Sequence, residues 1–447
     1  MSNRSLTSTP GLCKTVDPAG DRRAGATKPF LYISYFFPPH GGPESRHNLS
    51  MIRALGEHGF CPTVLTAPEN VEYPKDRALC ALIPDGMEIR RFFRPRQTNA
   101  YLVKARQALG IPRNPLEFEG AKEIYRAARS VLNEHPAEFI YSVHGIGAAH
   151  LAALRLKERT GLPWVAEFSD PLIHNSIIWA YMKDHSWRWW MAHQRRRTRA
   201  LQREMLAAAD LVVVESPRHA ELLVSDFGLP ENRVVSYGLG YGEEYFAEPG
   251  SPLVRFTNRP VIGFIGSIYY GYDDALQDLL TALKELEDQG ETFTFVSVGS
   301  SSAAFAGWAR AIGLKNFLSI ERVGLDQALA LMASLDLGLV CVSADYATNI
   351  NSKIWEYLRA NVSILALVPD PGAMADLVRD GRCGYLLPYD SAGMVQVLRG
   401  VLEDHRTGRL PRARPEFVAQ FSRARLAAKL ALRIGAILSP AQTIKTQ

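Results

Sequence analysis

The chain alternates strand-like apolar runs with segments of helical periodicity, and this alternation constrains the fold more than any other feature. In the first half the strand-like runs are FLYISYFF, CPTVLTA, MEIRRFF, EFIYSVHG, LPWVAEF, DLVVVES and NRVVSYG. In the second half they are PVIGFIG, FTFVSVG, NFLSIE, LGLVCVS and SILALV, with a helix predicted over Asp274–Gln289. This alternation is typical of parallel sheets covered by helices on both faces. It predicts an α/β protein with two doubly wound, Rossmann-like domains.

A lapse in the alternation divides the chain. Proline, glycine and polar residues interrupt the periodicity, so we interpret 249–260 as a linker between a first domain over 29–248 and a second over 261–415. The polar residues 1–28 are predicted to form a disordered leader, and 416–447 a C-terminal helix returning to the first domain, with a tail. Ligands of open parallel sheets bind beyond the carboxyl ends of the strands. We therefore expect the two domains to face each other across a cleft.

Composition narrows the class of protein further. The 447 residues are 47% apolar and 22% charged, as in ordinary soluble globular proteins. The net charge of +5 is small for this length and argues neither for nor against nucleic acid, so no nucleic-acid partner is predicted. The five cysteines include no CxxC pair, and no apolar run has the length of a membrane span. We expect a cytoplasmic protein without structural zinc; the oligomeric state is not predicted.

The loop PPHGGP after the first strand places bare backbone at the start of a helix. Pro38 and Pro39 end the strand because proline has no N–H to donate to a sheet, and Gly41 and Gly42 precede a helix with an apolar stripe. Bare backbone at a helix N-terminus lets an anion or a sugar approach closely. From this stretch alone, a ligand contact and a tight turn with nothing bound are equally good interpretations.

Two further candidates follow strands of the first domain. His144 begins HGIGAAH, which departs from a dinucleotide fingerprint because His150 stands where a small residue is needed. His144 either lines the cleft or is a polar loop residue, and it has no carboxylate at metal-ligand spacing. Asp170 follows the carboxyl end of a strand and either contacts a ligand or forms a turn before Pro171. No metal and no cofactor is predicted.

The stretch NINSKIWEY in the second domain combines a helix start with opposite charges. Ser352 is a good N-cap residue, and Lys353 and Glu356 are three residues apart, so they project from the same side of a helix. A helix N-terminus with a lysine suits a diphosphate, and a glutamate one turn later suits the paired hydroxyls of a ribose. The alternative is an ordinary surface ion pair, which the spacing alone favours.

From about residue 29 to 435, the chain resembles a GT-B-fold glycosyltransferase, specifically the retaining glycosyltransferase family 4. FFPPHGGPESRHNLSMIRALGEHGF is similar to the family's opening motif, and NSKIWEYLRANVSILAL followed by GAMADLVRDGRCGYLLP to its closing motif. The resemblance implies transfer of a sugar from a nucleotide diphosphate sugar to a hydroxyl of a sugar, lipid-linked or small-molecule acceptor. It also implies that Gly41 and Gly42 contact phosphate or sugar, Lys353 the diphosphate and Glu356 the ribose.

The chain also departs from the family pattern. Thr348 stands eight residues before Glu356, where many members have a glutamate, and the loop GSIYYGYDD lacks the bases that grip the diphosphate in many members. Lys353, Arg46 and Arg322 are candidate replacements for those bases. The predicted catalytic residues are Asp170, Lys353 and Gly42. The predicted donor-binding residues are Gly41, Gly42, Gly266, Ser267, Tyr269, Arg322, Ser352, Lys353 and Glu356. The predicted acceptor-side residues are Arg46, His144 and Asp170.

Two other functions and a membrane contact stay open. The departures are compatible with a non-catalytic or altered member that binds a nucleotide sugar, or with a GT-B-fold sugar-nucleotide epimerase. The segment Lys183–Met205 places Trp187, Trp189 and Trp190 beside a run of arginines. It is either an interfacial helix, which reaches a lipid-linked acceptor at the inner face of the membrane, or a core helix with a solvated basic face.

Overall fold

The chain forms two compact units, each built on a parallel sheet. The computed structural model describes residues 27–71, 73–92, 120–143, 147–185, 188–246, 254–268 and 271–439. The first unit comprises the described parts of Met1–Glu215, Ala220–Tyr237 and Leu426–Gln447. The second comprises the described parts of Ser216–His219 and Gly238–Arg425. The α/β class and the presence of two parallel sheets were both predicted from the alternation, and both are confirmed.

The first unit holds a seven-stranded sheet. Its strands are β1 Lys28–Ile33, β2 Phe60–Thr66, β3 Glu88–Arg91, β4 Phe139–Val143, β5 Trp164–Phe168, β6 Leu211–Val214 and β7 Val234–Ser236. The strand order is β3-β2-β1-β4-β5-β6-β7, and every adjacent pair is parallel. The order reverses at β1, so β1 and β4 form the switch point at which open α/β sheets place their ligands.

Helices connect these strands. They are α1 Gly42–Gly56, α2 Ala121–Glu134, α3 Gly147–Thr160, α4 Ser176–His185, α5 Arg188–Ala208 and α6 Pro217–Phe227. Short 3₁₀ turns lie at Arg77–Leu82 and Glu231–Arg233. The core forms where the apolar strand residues meet the small residues of α3, such as Ala148, Ala152 and Ala153, all buried. Small side chains let α3 lie close against the sheet, and its charged residues Arg155, Glu158 and Arg159 are exposed.

The second unit holds a six-stranded parallel sheet. Its strands are β8 Val261–Ile265, β9 Thr294–Val298, β10 Phe317–Ile320, β11 Leu337–Cys341, β12 Ser363–Leu367 and β13 Gly384–Leu387, in the order β10-β9-β8-β11-β12-β13. Its helices are α7 Asp273–Asp288, α8 Ser302–Ile312, α9 Leu325–Ala333, α10 Lys353–Arg359, α11 Ala373–Gly381, α12 Ser391–Arg406 and α13 Pro415–Ala419, with a 3₁₀ turn at Glu243–Tyr245. The last helix, α14, spans Arg423–Leu438, and the residues from Leu426 onward belong to the first unit. The strand order again reverses at β8, next to β11.

Two strand predictions need correction. The run FLYISYFF extends to Phe37, but β1 ends at Ile33. Tyr35 and Phe37 are nevertheless buried, so their hydrophobicity reflects packing of the following loop against the core. The short strand β13 was not predicted; three of its four residues are half-buried, which gives a weak apolar pattern.

Neither a membrane-spanning helix nor a group of metal ligands is present among the described residues. None of their helices is both long enough and apolar enough to cross a bilayer. Within the same residues, no group of three or more His, Cys, Asp or Glu side chains is arranged to hold a metal ion.

Candidate functional site

The loop after β8 places Gly266, which has no side chain, at the switch point of the second sheet, between β8 and β11. Gly266 has a φ of +152°, a conformation that side chains rarely adopt, and its N–H donates to the carbonyl of Val298 at 2.9 Å. The hydroxyls of Ser267 and Ser300 lie 2.6 Å apart, and the Ser301 hydroxyl accepts from the N–H of Ile268 at 2.5 Å. These bonds tie the loops after β8 and β9 together. Tyr269, predicted to bind the donor, lies outside the described residues.

Helix α10 begins beside this bare backbone. A methyl group added at Gly266 would lie 4.0 Å from Cε of Lys353, so the lysine stem passes alongside the glycine. Ser352 occupies the N-cap position, but its hydroxyl makes no capping bond. Ser352 is thus at the N-cap as predicted, but the side-chain oxygen of Asn351 is the group that accepts from the N–H of Lys353, at 2.9 Å.

Tyr357 fixes α10 to β8. Its hydroxyl accepts from the N–H of Ile265 at 3.2 Å and donates to the carbonyl of Gly263 at 3.3 Å. Burial raises the pKa of Tyr357 far above its ordinary value, so the phenol stays neutral and can donate. Because Tyr357 is one turn from Lys353, this anchor sets where the lysine lies relative to the end of β8.

Lys353 and Glu356 form an ion pair on the first turn of α10. The Nζ of Lys353 lies 2.8 Å from Oε2 of Glu356, and the side chains are 21% and 14% exposed. The predicted same-side arrangement is therefore present, and the pair is more shielded than an ordinary surface ion pair. A cation next to bare backbone can neutralise a phosphate, and the second oxygen of the carboxylate can accept from hydroxyls.

Arg322 lies apart from this arrangement. It is exposed just beyond β10, the edge strand, and β9 separates it from the strand that leads to Gly266. The described residues thus bring Gly266, Ser352, Lys353 and Glu356 together, but they do not bring Arg322 into that group.

In the first unit, the loop PPHGGP (residues 38–43, called the glycine loop below) packs against residues 73–76. The N–H of Gly41 donates to the carbonyl of Pro74 at 2.7 Å, and the N–H of Asp76 donates to the carbonyl of Pro39 at 2.8 Å. Gly42 has a φ of +91°, and a methyl group added there would lie 2.8 Å from the hydroxyl oxygen of Tyr73. The positive φ favours glycine here, a structural reason independent of any ligand.

The polar side chains that pack around the glycine loop were not predicted from the sequence. Tyr73 donates to Glu44 at 3.1 Å, next to the exposed side of Gly42. His40 is buried within the loop, and burial lowers its pKa, with the charges of Lys75 and Arg91 lowering it further. The imidazole of His40 is consequently kept neutral inside the loop.

The three predicted acceptor-side residues are Arg46, His144 and Asp170, and the structure describes two of them. Arg46 is half-buried at the start of the second turn of α1, and Asp170 is exposed two residues beyond the end of β5. His144 lies outside the described residues. Arg46 and Asp170 both follow carboxyl ends of strands in the same sheet, which is where the sequence placed them.

A buried carboxylate beneath the glycine loop was not predicted. Glu167 on β5 is 2% exposed, and its Oε1 lies 2.6 Å from Nε2 of His47 on α1. The hydroxyl of Tyr141 on β4 donates to the other carboxylate oxygen at 2.5 Å. Burial raises the pKa of Tyr141 well above its ordinary value, and the charge of Glu167 raises it further, so the phenol remains a donor. A glutamate inside the apolar run WVAEF was the available signal, because charged residues are rarely fully buried without partners.

The polar contacts continue from Glu167 along α1. Asn48 accepts from the hydroxyl of Tyr32 at 2.9 Å and donates to the Ser34 hydroxyl at 2.6 Å and the Phe36 carbonyl at 2.7 Å. Helix α1 is therefore bonded to β1 and β5 through buried side chains, and Glu167 is bonded in turn to β4. This holds the start of the helix, and with it the glycine loop, at the switch point of the sheet.

Two family models match most of the chain. Residues 41–240 match a model described as a glycosyl transferase 4-like domain, and residues 259–404 match glycosyl transferases group 1. The chain belongs to the GT-B glycosyltransferases of family 4-like type. Among curated proteins, none matches the sequence at a significant level.

Solved structures similar to this glycosyltransferase share its fold at low identity. HepE of Anabaena, solved in complex with UDP-glucose, has a TM-score of 0.62 and 16% identity, covering 91% of this chain and 99% of HepE. WaaG, a glycosyltransferase involved in lipopolysaccharide biosynthesis, has a TM-score of 0.56 and 15% identity, covering 92% and 100%. The UDP-GlcNAc 2-epimerase from Neisseria meningitidis, bound to UDP-GlcNAc, has a TM-score of 0.56 and 12% identity, covering 92% and 100%. These similarities establish the fold alone.

Proposed function

We propose that this glycosyltransferase moves a sugar from a nucleotide diphosphate sugar to an acceptor hydroxyl with retention at the anomeric carbon. The observation that carries the proposal is the Lys353–Glu356 ion pair, 2.8 Å apart, held beside the bare backbone of Gly266 at the switch point of a parallel sheet. HepE, a protein of the same fold, was solved with UDP-glucose, which supports a nucleotide sugar as the donor class.

In the proposed reaction, the acceptor oxygen bonds to the anomeric carbon while the bond from that carbon to the diphosphate breaks. The departing diphosphate takes the proton of the acceptor hydroxyl, so no separate base is required. Negative charge grows on the leaving group, and donors fixed in place before the reaction stabilise it. In the second unit, Lys353 and the backbone N–H groups at the start of α10 are proposed to donate hydrogen bonds to the departing diphosphate. Glu356 is proposed to accept from the ribose hydroxyls.

The first unit is proposed to supply the acceptor side. Asp170, beyond β5, is proposed to hold the donor sugar or the acceptor, with Arg46 nearby in sequence to the glycine loop. Gly41 and Gly42 are proposed to contact phosphate or sugar. Their packing against Pro74 and Tyr73 means that a ligand reaching Gly42 also meets the Tyr73 hydroxyl.

Nucleotide binding should be visible as a stability increase. A nucleotide present at one hundred times its dissociation constant should add about 2.7 kcal/mol to the free energy of unfolding. Thermal unfolding with UDP, GDP and dTDP would identify the base. Equal unfolding temperatures with all three and with none would contradict a nucleotide site.

Turnover separates the proposed reaction from its alternatives. The preferred nucleotide, supplied as a panel of its sugars, should yield a glycosylated acceptor whose anomeric configuration matches the donor, with a chelator making no difference. An epimerised nucleotide sugar would instead favour an epimerase, an alternative that the similarity to the Neisseria epimerase supports. Binding without turnover would favour a non-catalytic member.

A peripheral contact with the inner face of the membrane is also proposed, for a cytoplasmic protein that uses a lipid-linked acceptor. Trp189 on α5 is 58% exposed, next to the exposed Arg188, while Trp190 is half-buried and stacks on His193; Trp187 lies outside the described residues. An exposed tryptophan beside arginines suits a membrane interface. Trp189→Ala should reduce sedimentation with anionic vesicles, while Leu432→Ala, which removes another exposed apolar side chain, should not. If the parent protein does not sediment with anionic vesicles, the proposed membrane contact is wrong.

A further inference from the structure

The groove between α2 and α3 concentrates positive charge outside the site described above. Its volume is about 770 Å³, and five cationic side chains line it: Lys122, Arg126 and Arg129 from α2, and Arg155 and Arg159 from α3. All five are exposed. Glu158 is the one carboxylate among the lining residues, so the two walls carry a large excess of positive charge.

These five cations are not neutralised by ion pairs within the part of the chain that the structure describes. None of them takes part in an ion pair between described residues, whereas Lys157 on the same helix pairs with Asp210. Arg155 and Arg159 are four residues apart, as are Lys122 and Arg126, and like charges at this spacing destabilise a helix. An anion between the two helices would relieve this repulsion.

The geometry also restricts the chemistry of the anion. Guanidinium groups bind phosphate oxygens through two parallel hydrogen bonds, and walls of one sign attract counter-ions into a groove. The cations come from both walls, so a ligand with two or more phosphates can contact both at once. Tyr125 lies within the groove, with the Arg129 guanidinium 5.9 Å from its ring centre, and it orients that arginine.

The groove is separate from the proposed transfer site. Helix α3 follows β4 and runs back along the sheet, so Arg155 and Arg159, in its last two turns, lie toward the amino ends of the strands. Gly42 and Asp170 follow the carboxyl ends. We propose that the α2–α3 groove is a second anion site, which binds a group bearing closely spaced phosphates, whether soluble or on a lipid headgroup.

Titration of the full chain with inorganic tripolyphosphate tests the soluble form of this ligand. The variant Arg126→Gln/Arg129→Gln/Arg155→Gln should bind about tenfold more weakly than the parent, because three charge-assisted contacts are lost. The matched variant Arg255→Gln/Arg310→Gln/Arg425→Gln removes the same charge from exposed positions elsewhere and should bind as the parent does. Glu158→Gln should bind more tightly. Binding should weaken as sodium chloride rises from about 50 to about 200 mM, since salt screens exposed charges.

Two further experiments determine whether the phosphate belongs to a soluble molecule or to a lipid, and whether it binds in the groove or in the proposed donor site. Lys353→Ala should leave the groove-dependent binding unchanged; if it removes that binding, tripolyphosphate sits in the proposed donor site and the groove proposal is wrong. Sedimentation with phosphatidic acid vesicles, lost in the groove variant but kept in the matched one, would identify a lipid headgroup as the source. If the groove variant and the matched variant behave alike in both assays, or if the parent binds neither probe at low salt, the proposal is overturned.

Discussion

Glu167→Ala is expected to lower the free energy of unfolding by about 2–6 kcal/mol, because two buried groups each lose their acceptor at a cost of about 1–3 kcal/mol. The carboxylate is 2% exposed and lies 2.6 Å from Nε2 of His47, and it accepts from Tyr141 at 2.5 Å. Alanine would leave a buried imidazole and a buried phenol without their acceptor, in a cavity that water reaches poorly. Urea unfolding followed by circular dichroism measures the loss.

Two further variants serve as controls for the loss of stability expected in Glu167→Ala. Glu158→Ala removes an exposed glutamate from α3, with no ion pair to another described residue, and should change stability by less than about 0.5 kcal/mol. Glu167→Gln keeps the side-chain shape and one acceptor oxygen, so it should cost less than Glu167→Ala. A loss below about 1 kcal/mol for Glu167→Ala would show that the buried contacts do not hold α1 to the sheet.

The order of elements was predictable because each strand of a covered parallel sheet is apolar over its own length. The predicted helix Asp274–Gln289 differs from the observed Asp273–Asp288 by one residue at each end. Apolar character alone does not distinguish a strand from a buried loop, which is why the run through Phe37 was predicted to be strand while β1 ends at Ile33. The edge strand β13 was missed for the opposite reason, since three of its four residues are only half-buried.

The candidate site was predictable where it depends on local spacing. Lys353 and Glu356 are three residues apart on one helix, so their pairing follows from helix geometry. His47 and Glu167 are 120 residues apart, and their contact depends on how α1 packs across β4 and β5. The packing of Tyr73 against Gly42 is equally non-local, so the sequence showed bare backbone at the glycine pair without showing what packs against it.

Lys353→Ala is expected to lower kcat by roughly 10²- to 10³-fold, the usual effect of removing one fixed donor from a developing negative charge. The lysine is proposed to meet the diphosphate, whose charge rises as the sugar departs. Its contribution is then larger in the transition state than in the bound donor, and affinity for the nucleotide should fall much less than turnover. Steady-state kinetics and calorimetry with the preferred nucleotide measure the two quantities separately.

Glu356→Ala should have the opposite effect, weakening nucleotide binding more than it lowers kcat. If its carboxylate accepts from the ribose hydroxyls, its loss should weaken nucleotide binding by roughly 1.5–3 kcal/mol, the value of a hydrogen bond to a charged group. Either substitution also breaks the 2.8 Å ion pair between Lys353 and Glu356, so the double variant is needed to isolate their coupling. Glu403→Ala breaks an exposed pair of the same spacing with Arg406 and should change neither quantity. If Lys353→Ala and Glu356→Ala bind and turn over as the parent does, this pair is a structural ion pair of α10 and the donor site must lie elsewhere.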